Sequence, residues 1–270
     1  MEWWEAILLG IVQGLTEFLP VSSSGHLMIA RELVGVDASG FLDFTVTVHF
    51  ATVLSTIIVF WSAIWKLLKG IFKFKYNDET DYFLKLCVSM IPVAVVGFFF
   101  KDKVEALFGD SLLIVGICLI ITAALLLLST YYTPKHPLYH RNGISYLQAF
   151  VVGISQAIAV VPGLSRSGTT IATGLLTGVK KESMAQFSFL MVLIPIIGEQ
   201  MLSLLDVAKG EASFGAGVGA LPLVLGFSAA FLSGLFACKA MIALVKKAKF
   251  TWFALYCAVV GAAVIISSLV

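Results

Sequence analysis

Two short runs contain the side chains of this sequence that could do chemistry. The first is Gln13–His26, QGLTEFLPVSSSGH, and the second is Gln156–Thr169, QAIAVVPGLSRSGT. Gln13 and Glu17 are spaced i, i+4, so both lie on one helix face. A carboxylate inside an apolar segment is costly and is usually there to act. Ser22, Ser23, Ser24, Gly25 and His26 then open a helix, where exposed backbone N–H groups and hydroxyls suit an anion. Ser beside His also offers a nucleophile and its base, while a plain helix cap explains the same residues equally well. In the second run, Ser165, Arg166, Ser167, Gly168 and Thr169 combine another anion-ready helix start with an arginine. Its planar fork fits phosphate oxygens in pairs. Arg at bilayer depth costs about 2.5–3.5 kcal/mol on insertion scales, so it needs an anion, either a ligand or Glu17 itself. Together these residues make an oxyanion site whose natural guest is phosphate or diphosphate. Mg²⁺ bridging Glu17 and phosphate oxygens fits the same set, because Mg²⁺ commonly uses one or two carboxylates plus substrate oxygens.

Other polar residues weigh less. His49, with Thr45 and Thr52 on nearby faces, could line a cavity, but a structural hydrogen-bonding role is the stronger expectation. Glu199, Gln200 and Asp206 are left outside the site. Cys87, Cys118, Cys238 and Cys257 stand singly in apolar stretches and are expected to be inert buried thiols.

The elements that position the two runs are related. Adding 143 to positions 6–44 gives 149–187 with 11 identities in 39 aligned positions and no gap. The matches include Gly10 with Gly153, Gln13 with Gln156, Ser22 with Ser165, and Gly25 with Gly168. An apolar segment broken at the same place in two halves points to a binding site at the interface between repeats. The chain is therefore expected to be one integral membrane domain over 1–270, with repeat one at about 1–133 and repeat two at about 144–270.

Composition sets the solvent. Hydrophobic residues make up 59% and charged residues 13%, with mean hydropathy +0.99. A globular domain has roughly 25% charged residues, so this chain cannot cover a soluble surface. The net charge of +2 gives no reason to expect nucleic acid as a partner. The start, MEWWEAILL, is acidic and lacks a basic flank, so a removable signal peptide is not expected. Six stretches can cross roughly 30 Å of hydrocarbon, at about 42–65, 83–100, 111–131, 184–205, 218–238 and 252–270. Alternating their loops places 13 of the 18 Lys and Arg on one side and only Lys101, Lys103 and Lys209 on the other, the signature of a cytoplasmic face. The repeated segments are too interrupted to be spans. Glu5–Pro20, then a break, then a short helix to about Gly35, reads as a re-entrant hairpin. The fold expected is all-α and polytopic, with two inverted-topology repeats, each a re-entrant helical hairpin plus three transmembrane helices. Trp3, Trp4, Trp61, Trp65 and Trp252 are expected to anchor segment ends at the interfaces.

At Gln13–His26 and at PGLSRSG, Pro162–Gly168, the chain resembles the bacterial undecaprenyl-diphosphatases of the bacitracin-resistance type, and the likeness extends over the whole length. The resemblance implies hydrolysis of undecaprenyl diphosphate to the monophosphate, recycling the lipid carrier of peptidoglycan synthesis. It implies the bacterial cytoplasmic membrane, a site open to its outer face, and a divalent metal, Mg²⁺ or Ca²⁺. It carries functional roles onto Glu17, Ser23, His26, Ser165, Arg166 and Ser167. The first position of the family's acidic pair is Glu or Gln; here it is Gln13, which would meet the metal through its amide or a water. His26 is read as general base or nucleophile, and Ser23 as the alternative nucleophile or a phosphate ligand. A lipid-phosphate flippase using the same anion site is the rival reading. The expected partners are a polyprenyl diphosphate and membrane lipids, and a homodimer is compatible with the sequence.

Overall fold

The computed structural model describes residues 1–37, 40–100, 111–134, 140–198, 201, 218–247 and 249–269, with only the backbone of Leu42 and of 245–247. Lys101, Lys103, Lys135, Glu199, Gln200, Asp206 and Lys209 lie outside the described residues.

The first repeated segment forms α1 (Trp3–Phe18) and α2 (Ser23–Val34), separated by Leu19–Ser22. Pro20 lacks an N–H and cannot continue α1. Gly35 ends α2 in the left-handed conformation at φ 76, and its N–H caps the Arg31 and Glu32 carbonyls. The second repeated segment forms α7 (Tyr146–Ile158) and α8 (Arg166–Leu176) around a break that contains Pro162 and Gly163. Between and after these hairpins lie α3 (Phe41–Val59), α4 (Trp61–Ile71), α5 (Asp78–Phe99) and α6 (Leu112–Tyr132), then α9 (Lys181–Met191), α10 (Ala220–Lys247) and α11 (Thr251–Leu269). After a turn at Val192 the course of α9 continues to Gly198. No strand occurs among the described residues.

Five of these helices are long and apolar enough to cross a membrane, or six if α3 and α4 count as one bent span. The outer surface agrees with a lipid solvent: Leu33 is 82% exposed and Phe98 84%. The expected span 42–65 needs correction. Its helix stops at Val59, and α4 departs at 75°. The 19 residues of α3 already cover about 28 Å, close to the roughly 30 Å of hydrocarbon. Trp61, Trp65, Lys66 and Lys69 can therefore lie along the interface, with Trp61 stacked on Trp65 at 5.9 Å and Lys69 over the Trp65 ring. The span expected at 83–100 starts earlier, at Asp78, because Asn77 caps it by accepting from Thr80 N. Lys85, one of the 13 Lys and Arg counted on the cytoplasmic side, has its ammonium buried near the start of α5, 2.6 Å from Asp81 Oδ2 and 2.7 Å from the Arg141 carbonyl.

The helices pair across the two halves. α1 runs along α10, α3 also lies on α10, α5 packs on α7, and α6 packs on α11. Small residues allow this, as they do where lipid removes the usual hydrophobic drive. A Cβ added to Gly10 would collide with the Gly226 backbone of α10, and one added to Gly153 would collide with the Ser89 backbone of α5. These two glycines are equivalent in the repeats, and so are the two contacts. Cys118, Cys238 and Cys257 are buried and Cys87 half-buried, all as free thiols. Replacing Gly153 with Leu would push α7 off α5 and is expected to cost about 2 kcal/mol or more. Thermal unfolding in detergent checks this; an unchanged midpoint would refute the close approach.

Candidate active site

Each break starts a helix in the same way. Ser22 caps α2 and Ser165 caps α8, their hydroxyls accepting from Gly25 N at 3.2 Å and Gly168 N at 3.1 Å. Ser22 holds φ 72, a conformation that costs on the order of 1–3 kcal/mol for a residue with a side chain. His26 steadies it: Nδ1 and the backbone N–H both reach the Ser22 carbonyl, at 2.7 and 3.1 Å. Ser165 N–H donates to Thr122 Oγ1 of α6 at 3.1 Å, fixing the second break against the bundle.

The two breaks touch. Ser167 Oγ donates to the Leu19 carbonyl at 3.1 Å, and Gly163 N–H donates to Ser24 Oγ at 3.4 Å. Cys257 of α11 reaches the Pro20 carbonyl at 3.7 Å. A Cβ on Gly25 would sit 3.2 Å from Gly163 Cα, so the chain segments are close to backbone contact. Ser22 and Ser24 are 3.4 Å apart between hydroxyls, as are Ser165 and Ser167.

Glu17 lies where the breaks meet. Its Oε2 accepts from Ser23 Oγ at 2.5 Å and from Gln13 Nε2 at 2.8 Å. Arg166 Nη2 stands 3.9 Å from Oε1, too long for a hydrogen bond, so the guanidinium keeps N–H donors for another acceptor. The Arg166 side chain remains 29% exposed, so it is accessible to a ligand. The structure thus brings Gln13, Glu17, Ser23 and Arg166 into one cluster, with Ser24 and Ser167 at the seam. His26 is held apart from it. Nδ1 must donate to the Ser22 carbonyl, leaving the Nε2 lone pair to accept from Tyr256 at 2.8 Å, and the ring stacks on Tyr256. Thr169 Oγ1 is buried without a hydrogen-bond partner.

The repeat does not duplicate the chemistry. Position 160, equivalent to Glu17, is Val, and Ser23 corresponds to Arg166. One half supplies the carboxylate and hydroxyl, the other the cation.

Two neighbours escaped the sequence reading as site residues. His49 Nε2 lies 3.7 Å from Glu17 Oε2. Its signal was a polar face of α3, where Thr45, His49, Thr52 and Thr56 recur at helical spacing. Tyr256 had none, because a single Tyr in an apolar span reads as packing.

Among the described residues no three His, Cys, Asp or Glu come together as a metal centre. A divalent cation bound by one carboxylate and an amide oxygen nevertheless fits. Glu17 can only accept, so Gln13 must turn its nitrogen to it. That leaves the fully buried Gln13 Oε1 without a partner. An orphaned acceptor beside a carboxylate suits a hard cation.

A polytopic helical membrane protein in which two broken helices meet at a cluster of Gln13, Glu17, Ser23 and Arg166 is the class that this geometry defines. The chain belongs to the family described as Bacitracin resistance protein BacA, whose profile matches residues 6–263. It is 54% identical over 269 residues to an undecaprenyl-diphosphatase of Bacteroides thetaiotaomicron, covering all of both chains. A protein of the same name from Parabacteroides distasonis is 54% identical over 261 residues, covering 97% of this chain and 96% of its own. One from Methanosphaera stadtmanae is 36% identical over 282 residues, covering 98% of each.

Gly163 occupies φ +86, and a Cβ there would also meet Val115 Cα at 2.7 Å. Gly163→Ala is therefore expected to separate the breaks and lower stability by more than about 1 kcal/mol. A thermal midpoint equal to that of the parent would refute the tight seam.

Proposed function

We propose that this protein hydrolyses undecaprenyl diphosphate to undecaprenyl phosphate and inorganic phosphate, recycling the lipid carrier for peptidoglycan synthesis. The observation that carries this reading is the convergence of Glu17, Ser23 and Arg166 at the seam of the two breaks. The name of the relatives supplies the lipid, and the apolar exterior suits a substrate with a long prenyl tail.

Arg166 and the hydroxyls of Ser24 and Ser167 hold the diphosphate, aided by backbone N–H groups at the starts of α2 and α8. Ser23 Oγ, already hydrogen-bonded to Glu17, is the nucleophile and Glu17 its base. Oγ attacks the terminal phosphorus while its proton passes to Glu17. The bridging P–O bond breaks and undecaprenyl phosphate leaves. Water then attacks the phosphoserine, Ser23 recovers the proton from Glu17, and inorganic phosphate departs. Arg166 stabilises the equatorial oxygens in both steps, since charge positioning dominates phosphoryl transfer. His26 braces Ser22 and thereby the start of α2. A divalent cation, held by Glu17 and Gln13 Oε1, would neutralise phosphate charge when bound.

The odd number of spans per half and the placement of the lysines support inverted repeats. The matching pairs α1 with α10 and α7 with α5 support a twofold relation between the halves. The membrane is the bacterial cytoplasmic membrane, and the site opens to its outer face.

Purified protein given a C55 diphosphate lipid should release phosphate, and EDTA should stop it. Arg166→Ala should lower kcat by a factor of at least about 10², equivalent to roughly 2.7 kcal/mol of lost transition-state stabilisation. Rapid quenching should trap label on Ser23. Lipid appearing on the far leaflet without hydrolysis would show a carrier instead.

A further inference from the structure

The geometry points to His49 as a nitrogen ligand of the divalent cation held by Glu17, an inference that rests on the metal-assisted phosphatase reading. The Thr45 carbonyl lies 2.8 Å from His49 Nδ1. A carbonyl can only accept, so Nδ1 carries the hydrogen, and Nε2 of the neutral ring presents a lone pair. That lone pair faces Glu17 Oε2 at 3.7 Å, and a carboxylate also only accepts. Two acceptors opposed in this way, both mostly buried, need a positive centre between them.

A proton on Nε2 would leave an ion pair without a hydrogen bond at this distance, as Arg166 does at 3.9 Å. A bridging cation would bond both groups at the separation seen. Two donors each about 2.1 Å from a shared cation lie roughly 3.0–4.2 Å apart, depending on the angle between them. The 3.7 Å gap falls inside that interval. Gln13 Oε1, buried and unpartnered, adds an oxygen on the side chain already bonded to Glu17. Oε2 also accepts from Ser23 and Gln13, so the cation takes the place of one of these donors, while Oε1, 3.9 Å from Arg166, keeps its lone pairs. His26 is excluded as the ligand because both its ring nitrogens are engaged.

The ligand set is then a carboxylate, an amide oxygen and an imidazole, completed by phosphate oxygens. An imidazole moves preference from Mg²⁺ and Ca²⁺ toward transition metals, in the order of their affinity for nitrogen. His49 thus sets both affinity and metal choice.

The test uses full-length, tag-free protein in detergent, loaded with Mn²⁺ and read by pulsed EPR for coupling to a directly bound imidazole nitrogen. Wild type should show the coupling, His26→Ala should keep it, and His49→Ala should lose it while binding Mn²⁺ at least tenfold more weakly. His49→Gln serves if the alanine variant fails to fold; it should lose the nitrogen coupling too. Coupling that survives in either His49 variant, or Mn²⁺ bound through Glu17 without nitrogen coupling, would overturn the assignment of His49. Mn²⁺ binding no tighter to wild type than to Glu17→Gln would instead overturn the metal reading itself.

Discussion

Placing an ionised carboxylate inside an apolar bundle costs several kcal/mol unless partners replace its water. Glu17 is that carboxylate, and much of the local architecture follows from keeping it satisfied. Ser23 and Gln13 donate to it from the first repeat, and Arg166 approaches from the second. Arg166 has the same difficulty with the opposite sign. Neither half could bury its charge alone without the other, so the two breaks must meet. The seam of Ser167 on Leu19 and Gly163 on Ser24 holds them there.

The breaks themselves conflict with lipid. Irregular backbone is tolerated at membrane depth only where protein or water surrounds it. Here the helix starts are capped internally by Ser22 and Ser165, while neighbouring helices close in through glycines. Gly10 and Gly153 bring α1 against α10 and α7 against α5 within backbone contact. The first-repeat cap Ser22 holds φ 72, a strained conformation, and the next residue, Ser23, donates to the carboxylate. Strain at Ser22 and the Ser23–Glu17 hydrogen bond belong to one turn.

Much of this was legible in the sequence, because membrane insertion makes polar residues conspicuous. The duplicated break and the helix starts at Ser22 and Ser165 follow from spacing, Gln13, Glu17 and Arg166 stand out as polar residues in apolar segments, and Ser23 was singled out by the family resemblance. Helix ends were less legible. The bend after Val59 depends on how much hydrocarbon α3 has already crossed, which a run of apolar residues through Trp65 conceals. Lys85 is buried against Asp81, a pairing that depends on α5 starting a turn early at the Asn77 cap. Partner choice was the least legible. Ser23 and His26 lie on adjacent turns, yet Ser23 turns to Glu17 and His26 to Tyr256, 230 residues away in sequence. No local pattern encodes that contact. His49 was visible as a polar residue on α3, but its approach to Glu17 comes from the packing of α3 beside α1.

The central claim is that the diphosphate is held across the junction, with one repeat supplying the nucleophile and the other the arginine. A structure of the protein with a non-hydrolysable prenyl methylenediphosphonate tests it most directly. The account predicts both phosphonate groups at the seam, the terminal one within reach of Ser23 Oγ and the Arg166 guanidinium. A diphosphonate bound away from the breaks, or touching only one repeat, would contradict it.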